Sequence, residues 1–128
     1  MGVKLIKISV IYFVIGVSLG LYMSITSQYH FTGVHVHVNL LGWTSMTLAG
    51  ILYLMFPKAG MSVLGKIHFW IHNISLPVMM IGLFFLILGH TALFPFVALG
   101  GVFIVIAVIL FAINILIYVR QPEQENEV

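Results

Sequence analysis

Charge is scarce in this chain, and cysteine is missing altogether. Charged residues fill 6% of 128 positions, where an ordinary globular protein carries about 25%. All three acids, Glu123, Glu125 and Glu127, stand in the last six residues, and the five bases are Lys4, Lys7, Lys58, Lys66 and Arg120. No Asp, Glu, Lys or Arg lies between Lys7 and Lys58, or between Lys66 and Arg120. So little charge cannot cover a water-soluble domain. The bases never cluster, so the net charge of +2 carries no nucleic-acid footprint. The lack of cysteine excludes disulfides, thiolate metal sites, covalently attached haem and cysteine nucleophiles. Carboxylate general bases and carboxylate metal cages are excluded outside the tail.

Hydrophobic residues fill the remainder, at 62% of the chain and a mean hydropathy of +1.20. A helix crossing a bilayer needs about 20 apolar residues. Four stretches meet that length: 5–24, 34–56, 67–89 and 94–119. Turn-forming residues separate them, with Thr26-Ser27-Gln28 after the first, Pro57-Lys58-Ala59-Gly60 after the second and His90-Thr91 before Pro95. The expected fold is all-α: an integral membrane four-helix bundle. Residues 1–120 would form a single transmembrane domain and 121–128 a short acidic tail. The first span has the basic start of a signal peptide, but it is long and no Ala-x-Ala follows, so it reads as retained.

The bases also give an orientation. Lys4 and Lys7 precede the first span, Lys58 and Lys66 sit between the second and third, and Arg120 follows the fourth. By the positive-inside rule both termini and the middle loop are cytoplasmic, in a multi-pass protein of the cytoplasmic (inner) membrane. In the first span, Gly16 and Gly20 form a small-residue face suited to close helix contact, within the chain or between protomers.

Six histidines are a large allocation for such a chain. Imidazoles inside a bilayer are costly and usually meet a partner or a cavity. His30, His35, His37 and His90 fall near the outer face; His68 and His72 fall in the inner half of the third span. At about 100° per residue, His35 and His37 point roughly 200° apart, onto opposite sides of their helix. They cannot grip one metal as a same-face pair would, but each can hold its own ligand. Neutral imidazole is the usual protein ligand of haem b iron and needs no cysteine. His68 and His72 share a face, yet no third ligand is evident there, which favours hydrogen bonding. Counting about 1.5 Å per residue through a ~30 Å core leaves His37 and His72 roughly 15 Å apart in height, too far for one iron. A second ligand for His35 or His37 would come from His90, His30, Met23 or another protomer.

These residues resemble a known family. Gly33-Val34-His35-Val36-His37 followed by Leu41-Gly42-Trp43 looks like the His-x-His helix of the haem–copper oxidase catalytic subunit, especially its C-type branch. The segment Gly50-Ile51-Leu52-Tyr53-Leu54-Met55-Phe56-Pro57-Lys58 resembles the end of that helix, and Leu64-Gly65-Lys66-Ile67-His68-Phe69-Trp70 the opening of the next. The blocks keep the family's order across roughly residues 29 to 90. Nitric oxide reductases belong to the same superfamily. The resemblance implies that His35 binds a high-spin haem and His37 a low-spin haem, and that His68 is not an iron ligand. The family's subunit has about twelve helices, and this chain lacks a recognisable donor of the second low-spin ligand and the copper-binding histidines. Oxygen reduction by this chain alone is therefore not implied.

The sequence thus points to a small membrane haem b protein, with up to two haems per functional unit, serving electron transfer or binding of O2 or NO rather than catalysis. His37 and His35 are the expected metal ligands, with His90, His30, Trp43 and Asn39 as further cofactor contacts. Trp43 would pack on the porphyrin or hydrogen-bond a propionate. The expected partners are the lipid bilayer, further copies of the chain, and a redox partner or oxidase subunit; nucleic acid is not among them. Two alternatives stand beside this reading: a non-haem copper or zinc protein using His30, His35, His37 and His90, and a structural or assembly module of an oxidase.

Overall fold

The structure, a computed structural model, describes residues 1–120; the acidic tail expected at 121–128 lies outside the described residues. Among the described residues the fold is all-helical. Four helices are long and apolar enough to cross a membrane: α1 (Gly2–Thr26), α2 (Tyr29–Met55), α4 (Val63–Ile87) and α5 (Phe94–Tyr118). A short helix, α3 (Pro57–Met61), joins the two halves.

Local chemistry sets the boundaries. α1 stops at Ser27, which takes a left-handed conformation (φ 56°) while its N–H reaches Met23 O. α2 stops at Phe56, because Pro57 disfavours a helical backbone in the residue before it. Ser62 caps α4: its Oγ accepts the Gly65 N–H at 2.9 Å. α4 ends before Gly89, whose φ of 101° suits a residue without Cβ. Pro77 lies inside α4 and removes one backbone donor there.

The helices pack as two hairpins, α1 on α2 and α4 on α5, which meet where α2 runs against α4. Phe31 at the start of α2 stacks on Phe84 near the end of α4, with ring centroids 4.8 Å apart. Leu5, Met46 and Leu76 are sealed in the core. Much of the remaining apolar surface faces outward, including Ile25, Leu116 and Phe96. In water that exposure would favour aggregation, whereas in a bilayer it is the lipid-facing surface of a multi-pass membrane protein.

α2 is not uniform. Its central stretch, Val38–Ser45, winds as a π-helix of eight residues, and α-helix flanks it on both sides. Such wide turns are rare and often sit at functional sites. One stabilising contact comes from outside the helix: His72 Nε2 of α4 donates to the carbonyl of Leu41 at 3.1 Å.

Candidate functional site

Helical geometry places the histidine pair as its spacing requires. His35 turns toward α1, where its Nδ1 donates to the Gly16 carbonyl at 2.8 Å. His37 faces away and is exposed; its Nδ1 donates to the carbonyl of Gly33, one turn back, at 2.7 Å. A carbonyl can only accept, so in each ring Nδ1 carries a hydrogen, and in the neutral form of such a ring Nε2 keeps its lone pair. Neither Nε2 is hydrogen-bonded to another described residue. The only sealed side-chain polar atom without a partner among them is His72 Nδ1, so Nε2 of half-buried His35 is not closed off.

The seam between α1 and α2 is built on glycine. A Cβ at Gly20 would stand 2.7 Å from His35 Cε1, and one at Gly16 would overlap the Asn39 amide. Asn39 Nδ2 donates to the His35 carbonyl at 2.8 Å. The Gly16/Gly20 face is therefore filled by α2 of the same chain and is not free for a second protomer.

Asn39 and Trp43 require a correction. They neighbour His37 in sequence, but they follow His35 at helical spacing and share its side of α2. Trp43 stacks on Phe13 of α1 at 4.6 Å, so it packs between helices and not behind His37. His30 and His90 are not drawn to the pair either. His30 lies in the 3-10 turn that opens α2, its ring 4.2 Å from Phe31, and lines a cavity to which neither His35 nor His37 contributes. His90, after α4, is exposed beside Phe85. Met23 is buried. Among the described residues, no group of three His, Cys, Asp or Glu could hold a metal ion, so His30, His35, His37 and His90 do not form a copper or zinc cage within one chain.

The end of the bundle around α3 holds a buried polar network that hydropathy does not announce. Tyr53 OH and His68 Nδ1 are 2.9 Å apart, with both residues buried. Asn114, fully buried on α5, donates to the Ala59 carbonyl at 3.0 Å and reaches Tyr53 OH at 3.4 Å. Ser62 Oγ closes the set on Asn114 Oδ1 at 2.7 Å. His68 thus has a protein hydrogen-bond partner. His72 stands next to it, ring centroids 5.4 Å apart, and ties α4 to the π-helix through Leu41. That bond also corrects the height arithmetic. Leu41 lies only about 6 Å of helix rise below His37, so His72 is closer in height to His37 than two level spans would place it. The two still occupy different environments, His72 buried and His37 exposed.

The sequence offered one usable sign of this network: Asn114 is a lone amide in an otherwise apolar stretch of α5. Nothing local paired it with Tyr53 or Ser62, which come from distant segments. No family model, no curated protein and no solved structure matches this chain.

Proposed function

We propose that this chain is a small haem b protein of the inner membrane, a short relative of the haem–copper oxidase catalytic subunit, with His37 as the leading axial ligand. One observation carries the reading: both histidines of the His-x-His pair have Nδ1 bonded to a backbone carbonyl and Nε2 unbonded. This is the tautomer and orientation an iron ligand needs, because a hydrogen bond at one ring nitrogen fixes the other as donor to metal. His37 fits without any rearrangement, since its Nε2 faces outward from α2. His35 is hemmed in by Gly20 and α1, so it ranks second. His30 and His90 remain candidates for the distal side only through another protomer.

Bound haem would supply one-electron transfer or, with an open position, binding of O2 or NO. The chain's own part is to hold imidazoles oriented and screened from water by the bilayer. Gly33 O and Gly16 O fix the two rings, and Val34 and Val38 anchor the same stretch of α2 in the core. In this proposal both termini and the Lys58/Lys66 loop are cytoplasmic, so the pair sits in the outer half. The chain works as a homo-oligomer, because a single four-helix unit leaves His37 exposed and a porphyrin there needs cover on its far face.

The test is the visible spectrum of the purified protein with metal analysis. A Soret band with matching iron supports haem. Copper or zinc without haem supports a non-haem metal protein, and a colourless, metal-free protein supports an assembly module.

A further inference from the structure

The five bases of the chain come to one end of the bundle. Lys4 and Lys7 stand in the first two turns of α1, Lys58 in α3, Lys66 in the first turn of α4 and Arg120 just after α5. Packing brings these segments together. Gly2 of α1 sits so close to α2 that a Cβ there would strike the Gly50 carbonyl, and Ser62, ahead of α4, bonds Asn114 near the end of α5. No Asp or Glu stands among residues 1–120, so this end carries positive charge with no carboxylate side chain among the described residues. A cavity of about 360 Å³ opens there, walled by Gly2, Tyr53 and Leu54, Pro57 and Met61, and Lys66. Lys66 is the only Lys or Arg on that wall, and its neighbours Leu54 and Met61 are exposed apolar side chains. Trp70 follows Lys66 by four residues and shares its face of α4, about 6 Å of helix rise further into the bundle. It is 64% exposed. An indole so bare suits the headgroup level of a bilayer, where tryptophan collects.

We propose that this cavity seats an anionic phospholipid of the phosphatidylglycerol class. Its phosphate lies at Lys66, its acyl chains run along Leu54 and Met61, and its glycerol esters stand level with Trp70. Charge chooses the headgroup. The phosphodiester meets a lysine, whereas the ammonium of a choline or ethanolamine head finds no carboxylate side chain among the described residues. The apolar walls choose a lipid over a free anion, because a soluble phosphate has nothing to place against Leu54 and Met61. In the orientation proposed above, this end meets the cytoplasmic leaflet, whose anionic lipids attract bases close to the surface.

The experiment is native mass spectrometry of the full chain in mild detergent, titrated with dioleoylphosphatidylglycerol against dioleoylphosphatidylcholine. Phosphatidylglycerol should be the first lipid to bind, and inorganic phosphate should not displace it. Lys66→Gln, at an exposed position, should weaken that binding by about three- to tenfold, the loss of one charge-assisted hydrogen bond. Lys66→Arg keeps the charge and should keep the binding. Lys58→Gln removes the same charge from the same end but outside the cavity wall, and should change the binding by less than about twofold. Equal binding of the two lipids, displacement by phosphate, or equal losses in Lys66→Gln and Lys58→Gln would overturn the proposal. So would a parent without preference that gains one when Glu123, Glu125 and Glu127 are changed to Gln, since the acidic tail would then be the occupant. No readout here depends on haem, so this site and the haem reading fail separately.

Discussion

The ring of His35 is seated on Gly20 and bonded to the Gly16 carbonyl at 2.8 Å, which joins α1 to the histidine-bearing turn of α2. Two residues on, His37 makes the equivalent bond to its own helix and faces outward. One side of α2 is thus spent on the fold and the other is presented.

Enlarging the glycine seam should therefore disturb His35 first. Gly20→Val adds atoms where the imidazole already sits, and overpacking of this kind costs about 1–3 kcal/mol. Thermal unfolding in mild detergent should show a lower midpoint for this variant. Val17→Leu, at an exposed position on the same helix, should stay close to the parent.

The network of Tyr53, His68, Asn114 and Ser62 should behave as structure. Tyr53→Phe removes a hydroxyl that faces both His68 and Asn114, leaving buried polar groups short of a partner at about 1–3 kcal/mol. Asn114→Leu should cost at least as much, since Ser62 and Ala59 also lose it. Denaturation of both variants against the parent checks this, and parent-like stability for both would remove the network's structural role.

How much of this could be read from sequence varies with the range of the interaction. The four spans follow from hydropathy, which needs no partner. The opposition of His35 and His37 follows from 100° per residue, because the stretch Thr32–His37 of α2 is regular α-helix. Asn39 and Trp43 were legible as companions of His35 by spacing, yet nearness in sequence groups them with His37. The π-helix was not legible: its wide turns are sustained by tertiary contacts such as His72 with Leu41, which no local pattern encodes.

Orientation can be checked against a cysteine-free background. Ser27→Cys should react with an impermeant maleimide from outside, and Lys58→Cys only after the membrane is opened. The reverse pattern would invert the placement of the histidine pair.

The oligomer is tested by mass. In mild detergent with lipid retained, the haem-loaded protein should run as more than one copy. A monodisperse monomer holding its full haem complement would show that the far face of the His37 site needs no second chain.

The central claim rests on His37, and the most direct test is haem content and Soret position for His37→Ala, His35→Ala and His68→Ala, with helicity as the control for folding. The account predicts loss of haem or a shifted Soret band for His37→Ala and a partial loss for His35→Ala. His68→Ala should keep a parental spectrum at reduced stability, because its imidazole serves Tyr53 and not iron. A parental spectrum in His37→Ala together with abolished haem in His68→Ala would place the site in the inner half and contradict the account.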